Sequence, residues 1–296
     1  INWNKNTLCQ VNGAGTWYFV SGGVINWNQQ GLTYCDNNWY YIQNGIYQSS
    51  FSNLVFYNGA WFYIKNGQID WHYTNLVQYK GTWYYVENGK LNWGVNTLSQ
   101  VNGTGTWYYV ENSQINWQYT GLTQYKGTWH YIENGQLNWS YNNLVYYNNT
   151  WYYVKDGKID WNYSNLVYYN GAWFYVDHGQ INWHKTILSQ VNGTGTWYYV
   201  ENGILNWSYN GLVYFNNTWY YVKGGRIDWN YSNLVYYNGA WYYVDHGQIN
   251  WHKTTLSQVN GTGTWYYIEN GILNWSYNGT YNYNGINYTI RNGVVC

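Results

Sequence analysis

This chain of 296 residues is dominated by aromatic side chains, with 24 Trp, 42 Tyr and 6 Phe, only 8% charged residues and no Pro or Met. Its formal net charge of +0 argues against nucleic acid or an anionic membrane as a partner, because clustered Lys and Arg hold both. The aromatic content excludes a disordered chain, and the absence of any apolar run near roughly 18 residues excludes membrane insertion.

Tryptophan marks an internal repeat of about 22 residues along the whole chain. A second set of Trp follows the first set by 10 residues in every complete repeat but one, where Ser49 holds the position. A fixed period of this length indicates a solenoid, a propeller or an array. The first set is Trp17, Trp39, Trp61, Trp83, Trp107, Trp129, Trp151, Trp173, Trp197, Trp219, Trp241 and Trp265; the second set is Trp3, Trp27, Trp71, Trp93, Trp117, Trp139, Trp161, Trp183, Trp207, Trp229, Trp251 and Trp275.

The first two repeats contain two of the three cysteines. Cys9 stands where later repeats have serine, and Cys35 stands where a later repeat has tyrosine. Two interpretations are open. Cys9 and Cys35 form a disulfide that staples the N-terminal end, in keeping with an oxidising extracellular setting, or they are unpaired thiols; Cys296 is left over in either case.

Each repeat reads as a β-hairpin followed by a third short strand. In NLVYYNGAWFYVDHGQINW, from Asn165 to Trp183, an Asn-Gly pair separates two runs rich in Val, Tyr, Phe and Trp, which is typical of a type I′ turn. No window has a helical period. A lone hairpin is only marginally stable in water, so each hairpin must stack on its neighbours. The sequence therefore predicts an all-β protein, an elongated β-solenoid of stacked hairpin repeats.

A longer segment that contains three repeats is itself duplicated. Residues 139–206 match residues 207–274 at all but seven of 68 positions, which indicates recent copying of a block of three repeats. Copied blocks favour length or valency over a single site. In the C-terminal segment Asn287 replaces the expected first-set Trp. We expect one solenoid of twelve repeats over residues 1–275 and a degenerate capping repeat over residues 276–296, because terminal repeats need a polar outer face.

The acids and histidines do not form a catalytic or metal-ligating pattern. Glu87 lies in a register where Lys65 occurs in another repeat, which is typical of a solvated surface position. Glycosidase chemistry needs one dedicated pair of carboxylates about 5 to 9.5 Å apart, and no pair is unique here. Asp177 and His178 with His184 have no further ligands nearby in sequence. We therefore predict that the chain is not an enzyme and takes no cofactor or metal.

The aromatic residues have a structural and a functional interpretation. As a core, each Trp or Tyr buries about 150 to 250 Å². As a binding surface, partly open rings stack on the C–H face of a sugar or enclose a quaternary ammonium group. The number of aromatic residues exceeds what a core two side chains thick can hide, and this favours some ligand-facing rings.

The unit NGAWFYIKNGQIDW, from Asn58 to Trp71, and its equivalent from Lys80 to Trp93 resemble the cell-wall-binding repeats of Gram-positive surface proteins. That family includes choline-binding repeats, glucan-binding repeats and the carbohydrate-binding repeats of large clostridial toxins. The likeness covers essentially the whole chain. It implies hairpin solenoids that hold ligand between successive hairpins in a cage of aromatic side chains.

By this resemblance each cage has four members. They are the second Trp of one repeat, the first-set Trp that follows, the Tyr two residues later and the next second Trp, as in Trp71, Trp83, Tyr85 and Trp93. The equivalent positions are Trp117, Trp129, Tyr131, Trp139, Trp151, Tyr153, Trp161, Trp173, Tyr175, Trp183, Trp207, Trp219, Tyr221, Trp229, Trp241, Tyr243 and Trp251.

The function that these features favour is a non-catalytic, multivalent binding module, because linked weak sites gain avidity on a repetitive ligand. The expected partner is carbohydrate or a cell-wall polymer, including polymers with choline-like groups. We expect an extracellular chain, secreted or attached to the cell wall, that is part of a larger surface protein. Two alternatives stay open: a structural stalk or adhesin spacer whose aromatics are all packed between repeats, and a toxin-type domain that binds host glycans.

Overall fold

The computed structural model describes residues 5–11, 13, 15–101, 103–191, 193–259 and 261–296, so Trp3 lies outside the described residues. Over these residues the chain forms 39 short strands and no helix. The described residues accordingly contain no apolar helix of membrane-spanning length.

Each repeat has two longer antiparallel strands and one strand of two residues. The strands are β1 (Thr7–Gln10), β2 (Trp17–Ser21), β3 (Val24–Ile25), β4 (Gly31–Cys35), β5 (Asn38–Gln43), β6 (Ile46–Tyr47), β7 (Asn53–Tyr57), β8 (Ala60–Lys65), β9 (Gln68–Ile69), β10 (Asn75–Tyr79), β11 (Thr82–Glu87), β12 (Lys90–Leu91), β13 (Thr97–Gln100), β14 (Trp107–Glu111), β15 (Gln114–Ile115), β16 (Gly121–Tyr125), β17 (Thr128–Glu133), β18 (Gln136–Leu137), β19 (Asn143–Tyr147), β20 (Thr150–Lys155), β21 (Lys158–Ile159), β22 (Asn165–Tyr169), β23 (Ala172–Asp177), β24 (Gln180–Ile181), β25 (Ile187–Gln190), β26 (Trp197–Glu201), β27 (Ile204–Leu205), β28 (Gly211–Phe215), β29 (Thr218–Lys223), β30 (Arg226–Ile227), β31 (Asn233–Tyr237), β32 (Ala240–Asp245), β33 (Gln248–Ile249), β34 (Thr255–Gln258), β35 (Trp265–Glu269), β36 (Ile272–Leu273), β37 (Gly279–Tyr283), β38 (Ile286–Arg291) and β39 (Val294–Val295).

Two-residue turns join the strands of most repeats, whereas four repeats have a longer segment between their first two strands, as between Gln100 and Trp107. Between β7 and β8, Asn58 has φ 46° and Gly59 has φ 81°; between β8 and β9, Asn66 has φ 51° and Gly67 has φ 76°. Two successive positive φ values define a type I′ turn, whose twist matches that of the flanking strands. The predicted Asn-Gly hairpins are therefore confirmed.

The chain divides into two compact units, residues 1–141 with 155–159 and residues 142–154 with 160–296. In the first unit, cross-strand pairing places Leu76 opposite Tyr85. This hairpin face packs against Val110 and Ile115 of the following hairpin, and Leu76 and Val110 are almost fully buried. The core of this unit thus lies between successive hairpins.

The second unit repeats the same packing. Leu166 forms a buried cluster with Val200 and Leu205 of the following hairpin. Antiparallel pairing of β23 with β27 places Phe174 opposite Ile204, so hydrogen bonds as well as side chains join the two repeats. In the last repeat Ile290 is buried against the preceding one. The extent of a separate C-terminal cap stays a prediction.

A turn residue joins each described hairpin to the preceding repeat by backbone hydrogen bonds, and it is glycine everywhere except at Ser113. The Tyr109 N–H donates to the Gly135 carbonyl at 2.9 Å, and the Gly135 N–H donates to the Tyr119 carbonyl at 2.9 Å. A Cβ at position 135 would lie 2.5 Å from the carbonyl oxygen of Asn116. Glycine leaves room for this approach of two backbones; where Ser113 takes the equivalent position, its hydroxyl donates to the Asn92 carbonyl. Together with the strand pairing, it confirms the predicted class: all-β, a solenoid-like repeat of hairpins with nearest-neighbour contacts.

Candidate functional site

The second Trp of each repeat lies at the surface. A side-chain oxygen one residue earlier turns the chain at this point: Asn116 Oδ1 accepts the backbone N–H of Gln118 at 2.9 Å, and Trp117 between them points outward. Such Asx turns close locally without strand pairing. Within the described residues, eleven second-set Trp side chains are 41% to 56% exposed: Trp27, Trp71, Trp93, Trp117, Trp139, Trp161, Trp183, Trp207, Trp229, Trp251 and Trp275.

Each of these Trp residues meets the ring of the residue that follows the first-set Trp. Tyr108 and Trp117 have ring centroids 5.4 Å apart and an interplanar angle of 74°. An edge-to-face contact fixes an aromatic plane without covering both faces. The equivalent pairs are Tyr18–Trp27, Phe62–Trp71, Tyr84–Trp93, His130–Trp139, Tyr152–Trp161, Phe174–Trp183, Tyr198–Trp207, Tyr220–Trp229, Tyr242–Trp251 and Tyr266–Trp275.

The first-set Trp residues have a different environment. Trp151 contacts Tyr146 of its own hairpin at 5.2 Å and Tyr169 of the next hairpin at 5.1 Å. Trp83 and Tyr85 pack together on the buried cluster that contains Leu76. These rings therefore stabilise the contact between hairpins.

The tyrosine two residues after the first-set Trp stacks inside the same layer. Tyr63 and Tyr73 stack with centroids 3.8 Å apart, and the Tyr73 hydroxyl donates to the carbonyl of Leu76 at 2.8 Å. Burial, followed by the nearby Tyr63 and Asp70, raises the pKa of Tyr73 to about 12. Its hydroxyl therefore stays protonated, and keeps this hydrogen bond, further into the alkaline range than an ordinary tyrosine would.

The described contacts divide the expected cage residues into two groups. Trp71 and Trp93 lie at the surface, each with an edge-on ring, whereas Trp83 and Tyr85 are packed between hairpins. The exposed group also contains Trp117, Trp139, Trp161, Trp183, Trp207, Trp229 and Trp251; the buried or half-buried group also contains Trp129, Tyr131, Trp151, Tyr153, Trp173, Tyr175, Trp219, Tyr221, Trp241 and Tyr243.

The ring beside the second Trp, such as Tyr84, was not among the residues predicted from the sequence. A signal was present, because this position holds an aromatic ring or His in every repeat and strand alternation places it on the face opposite Trp83. Tyr84 and Trp93 are separated along the chain by a turn. The two-residue alternation of side chains holds only within a strand, so it does not predict that these two rings meet.

A carboxylate and an amide line the cleft beside the exposed Trp. Glu111, Asn116 and Trp117 line one cleft, and Asn116 Nδ2 donates to Glu111 Oε2 at 2.7 Å. The same arrangement recurs in the clefts with Trp139 and Trp275. The glutamate four residues after the first-set Trp was expected to be only a solvated surface residue. In these repeats it also lines the cleft beside the second Trp.

Other repeats replace this pair with Lys and Asp. Lys65 Nζ lies 3.9 Å from Asp70 Oδ2, and the cleft beside Trp229 is lined by Lys223 and Asp228 together with an arginine. A Glu–Asn cleft keeps one negative charge, whereas the charges of a Lys–Asp cleft cancel. The clefts therefore differ in electrostatics although their backbone is the same.

A third variant has Asp at the glutamate position. Burial tends to raise the pKa of Asp177, but hydrogen bonds from Asn182 at 3.2 Å and His178 at 2.7 Å, with the charge of Lys185, lower it below its usual range. The carboxylate of Asp177 is thus already engaged by neighbouring groups. Within the described residues, His, Cys, Asp and Glu form no group of three arranged to hold a metal ion.

The arrangement of the cysteines agrees with the second of the two interpretations. Cys9 is exposed and Cys35 is buried, and both are free thiols, as is the exposed Cys296. Leu8 packs on the buried cluster that contains Cys35. Because adjacent strand residues point to opposite faces, Cys9 points away from Cys35, as expected for unpaired thiols.

The chain matches the model of the choline-binding repeat in twelve segments, and it therefore belongs to the choline-binding repeat family. The matched residues are 4–26, 29–46, 50–70, 73–92, 101–116, 118–138, 140–160, 162–182, 191–206, 208–228, 230–250 and 254–274. The family resemblance expected from the sequence is thus confirmed. Repeats of this family are binding modules of cell-surface or secreted proteins.

Solved structures from Streptococcus pneumoniae are similar to this chain. CbpJ is 21% identical, with 98% of this chain and 100% of CbpJ covered and a TM-score of 0.28. Choline binding protein F is 21% identical, with coverages of 91% and 100% and a TM-score of 0.30. The modular autolysin LytC is 15% identical, with coverages of 84% and 54% and a TM-score of 0.34. With TM-scores this low, the family assignment rests on the repeat match. No curated protein sequence matches the chain.

Proposed function

We propose that this chain is a non-catalytic, multivalent module that attaches to cell-wall polymer bearing choline groups. The observation that carries the proposal is the row of second-set Trp side chains, each about half exposed and each held edge-on by a neighbouring ring. An oriented indole face attracts a quaternary ammonium group by a cation–π interaction of about 0.5 to 2 kcal/mol. The exposed Trp and its supporting ring would form the aromatic part of each site.

Repetition would convert such weak contacts into stable attachment. Linked sites raise avidity by about 10² to 10⁴ when the ligand is itself a polymer with regularly spaced groups. The copied three-repeat block increases the number of sites without a new fold. A repetitive, choline-bearing cell-wall polymer meets this requirement, and it places the module outside the cell.

Exposure of the second Trp also separates this function from that of a stalk. A stalk uses its aromatics only for packing, as first-set residues such as Trp83 do here, although Trp17 and Trp265 near the two ends are exposed. It gives no reason for Trp117 and its equivalents to remain at the surface in repeat after repeat. A packing role for one Trp set and a binding role for the other accounts for both.

Chromatography on a choline-derivatised resin tests the proposal. The full chain should be retained and then released by free choline, and not by an equal concentration of NaCl or glucose. Free choline should also change the emission of exposed Trp. A chain that passes through choline resin and also fails to sediment with choline-containing cell walls would exclude this function. Release by glucose or by a glucan would favour polysaccharide binding instead.

A further inference from the structure

We infer that the clefts of this chain are of unequal specificity, and that the clefts with a Glu–Asn pair are its selective sites for cationic groups. The inference rests on the proposed function and identifies which sites carry it. The Lys–Asp clefts have the same indole but lack the negative charge. Repeats that look alike in sequence would therefore contribute unequally to binding.

Four glutamate clefts have the required geometry. In each one the asparagine before the second Trp donates its Nδ2 hydrogen to the glutamate at 2.7 or 2.8 Å. Because the amide is neutral, this bond orients the carboxylate without cancelling its charge. The four sets are Glu111–Asn116 with Trp117, Glu133–Asn138 with Trp139, Glu201–Asn206 with Trp207, and Glu269–Asn274 with Trp275.

One glutamate cleft already has an ammonium group on its indole. Lys158 Nζ lies 5.3 Å from the centroid of the Trp139 ring, within the distance of a cation–π contact. Lys158 reaches this position from the next hairpin, where its backbone pairs with that of His130. Glu133 and Asn138 line the cleft beside the same Trp139. The ammonium group of Lys158 thus occupies the position that we propose for the cationic group of a ligand.

In the other clefts a positive side chain either repels an approaching cation or already pairs with the carboxylate. Lys65 lies close to Asp70, so an approaching cation meets a positive group in the same cleft. The cleft beside Trp229 contains Arg226 in addition to a Lys–Asp set. In the remaining variant, the carboxylate of Asp177 contacts a histidine and a lysine.

The pairing of residues between the two positions is regular throughout the chain. Wherever Glu or Asp stands four residues after the first-set Trp, Asn precedes the second Trp; wherever Lys stands there, Asp precedes it. From Trp61 to Trp275 each repeat therefore contains one complete set, whereas the first two repeats, with Ser21 and Gln43 at the first position, contain neither. We expect this difference in cleft charge, at an effective dielectric constant between those of protein and water, to change the affinity for a cation by about tenfold.

Exchange of the two sets tests the inference. One variant converts three glutamate clefts to the Lys–Asp set, and a second converts two Lys–Asp clefts to the glutamate set and also replaces the remaining cation beside each indole by glutamine. Each substitution is one that the chain itself accepts in the same register, so the fold has a natural precedent. The first variant is E111K/N116D with E201K/N206D and E269K/N274D; the second is K65E/D70N/K90Q with K223E/D228N/R226Q.

Equilibrium dialysis with tetramethylammonium gives the number of sites occupied per chain, and 3,3-dimethylbutan-1-ol serves as the uncharged analogue of choline. We expect the first variant to lose about three tetramethylammonium sites by the roughly tenfold weakening at each cleft, and the second to gain about two. Binding of the neutral alcohol should be the same in both variants and in the parent chain.

A matched pair of lysine variants tests the internal ligand. Lys158→Gln removes the ammonium from Trp139 and should add one tetramethylammonium site. Lys90→Gln is the control, because Lys90 has the same register beside Trp71, in a Lys–Asp cleft, and should add none. Glutamine stands at this position in five other repeats, for example Gln114 and Gln136.

The outcomes separate the two proposals. Equal site numbers in the parent and both exchange variants, with clear binding by all three, would overturn the charge inference and leave choline binding intact. A parent chain that takes up no tetramethylammonium would overturn both. Loss of the neutral alcohol together with the cation in the first variant would show a damaged cleft instead of a charge effect, and would also count against the inference.

Discussion

Tyr108 holds Trp117 edge-on, with ring centroids 5.4 Å apart and an interplanar angle of 74°. Tyr108 itself is half-buried against the cluster of Leu76, Val110 and Ile115, which lies between two hairpins. The orientation of an exposed indole is therefore set by a residue that belongs to the core. Tyr108 therefore both packs between hairpins and supports the proposed binding surface.

Loss of that supporting ring should weaken binding and also lower the stability of the fold, because the ring packs on a buried cluster. We expect the triple variant Tyr108→Ala, Tyr198→Ala, Tyr266→Ala to leave choline resin at a several-fold lower choline concentration, because each unsupported Trp loses a contact worth about 0.5 to 1.5 kcal/mol. The corresponding Phe variants should elute like the parent, since Phe62 and Phe174 make the same contact. Equal elution of the Ala and Phe variants would contradict the supporting role.

Two glycines of one hairpin should respond differently to a methyl group. Gly127 has φ 81° and open space around its missing Cβ, whereas a Cβ on Gly135 would lie 2.5 Å from the Asn116 carbonyl oxygen. Gly127→Ala should lower the free energy of unfolding by about 1 to 2 kcal/mol through backbone strain alone. Gly135→Ala should cost more, because the preceding repeat must also move. Urea unfolding of the two variants checks the order, and equal losses would refute the close approach.

His130 should make stability depend on pH below neutrality. Burial, followed by the charge of Lys158, lowers the pKa of His130 from its ordinary 6.5. The unfolded chain then takes up the proton more readily, so stability is fully present above about pH 6.5 and is lost as the pH falls below that value.

His130→Phe removes this loss and a buried Nδ1 that has no hydrogen-bond partner among the described residues. We expect it to raise the free energy of unfolding by about 1 kcal/mol at pH 7.5, with a larger difference at pH 5. The exposed His72→Asn is the control, since Asn follows the second Trp in other repeats. A difference from the parent that stays constant from pH 7.5 to pH 5 would contradict the assignment.

The three cysteines should differ in reactivity. Burial, followed by the charge of Asp36, raises the pKa of the Cys35 thiol to about 11, and the thiolate is the reactive form. At pH 8 a maleimide should label the exposed Cys9 and Cys296 in the native chain, and Cys35 only after unfolding. Labelling of Cys296 alone, before and after unfolding without reductant, would indicate that the disulfide forms after all.

The hairpins could be predicted from sequence because their signals are local. Asn58-Gly59 sits between two runs of strand-forming residues, and both residues have the positive φ values that the pattern requires. The two Trp sets could likewise be recognised from their spacing. Short-range chemistry was therefore enough for the repeat and its class.

Which Trp set is packed and which is exposed could not be predicted in the same way. Trp83 and Trp93 are the same residue type in the same repeat, yet one packs on a buried cluster and the other is 56% exposed. The difference depends on the next hairpin, which covers Trp83 with Val110. Contacts of this range have no signature in the local pattern, and the expected cage therefore combined rings from two environments.

The glycine contact between repeats bears on how such a chain changes in evolution. Its hydrogen bonds use only backbone atoms: the Tyr131 N–H donates to the Gly157 carbonyl at 2.9 Å, and the Tyr199 N–H donates to the Gly225 carbonyl at 2.8 Å. The described junctions repeat this bond, with Ser113 in place of glycine at one of them. Recombination between residues 139–206 and their copy at 207–274 can thus delete or add a block in frame and leave every remaining junction intact. Lineages that inherit different numbers of blocks would then differ in how firmly the chain adheres, although no single cleft has changed.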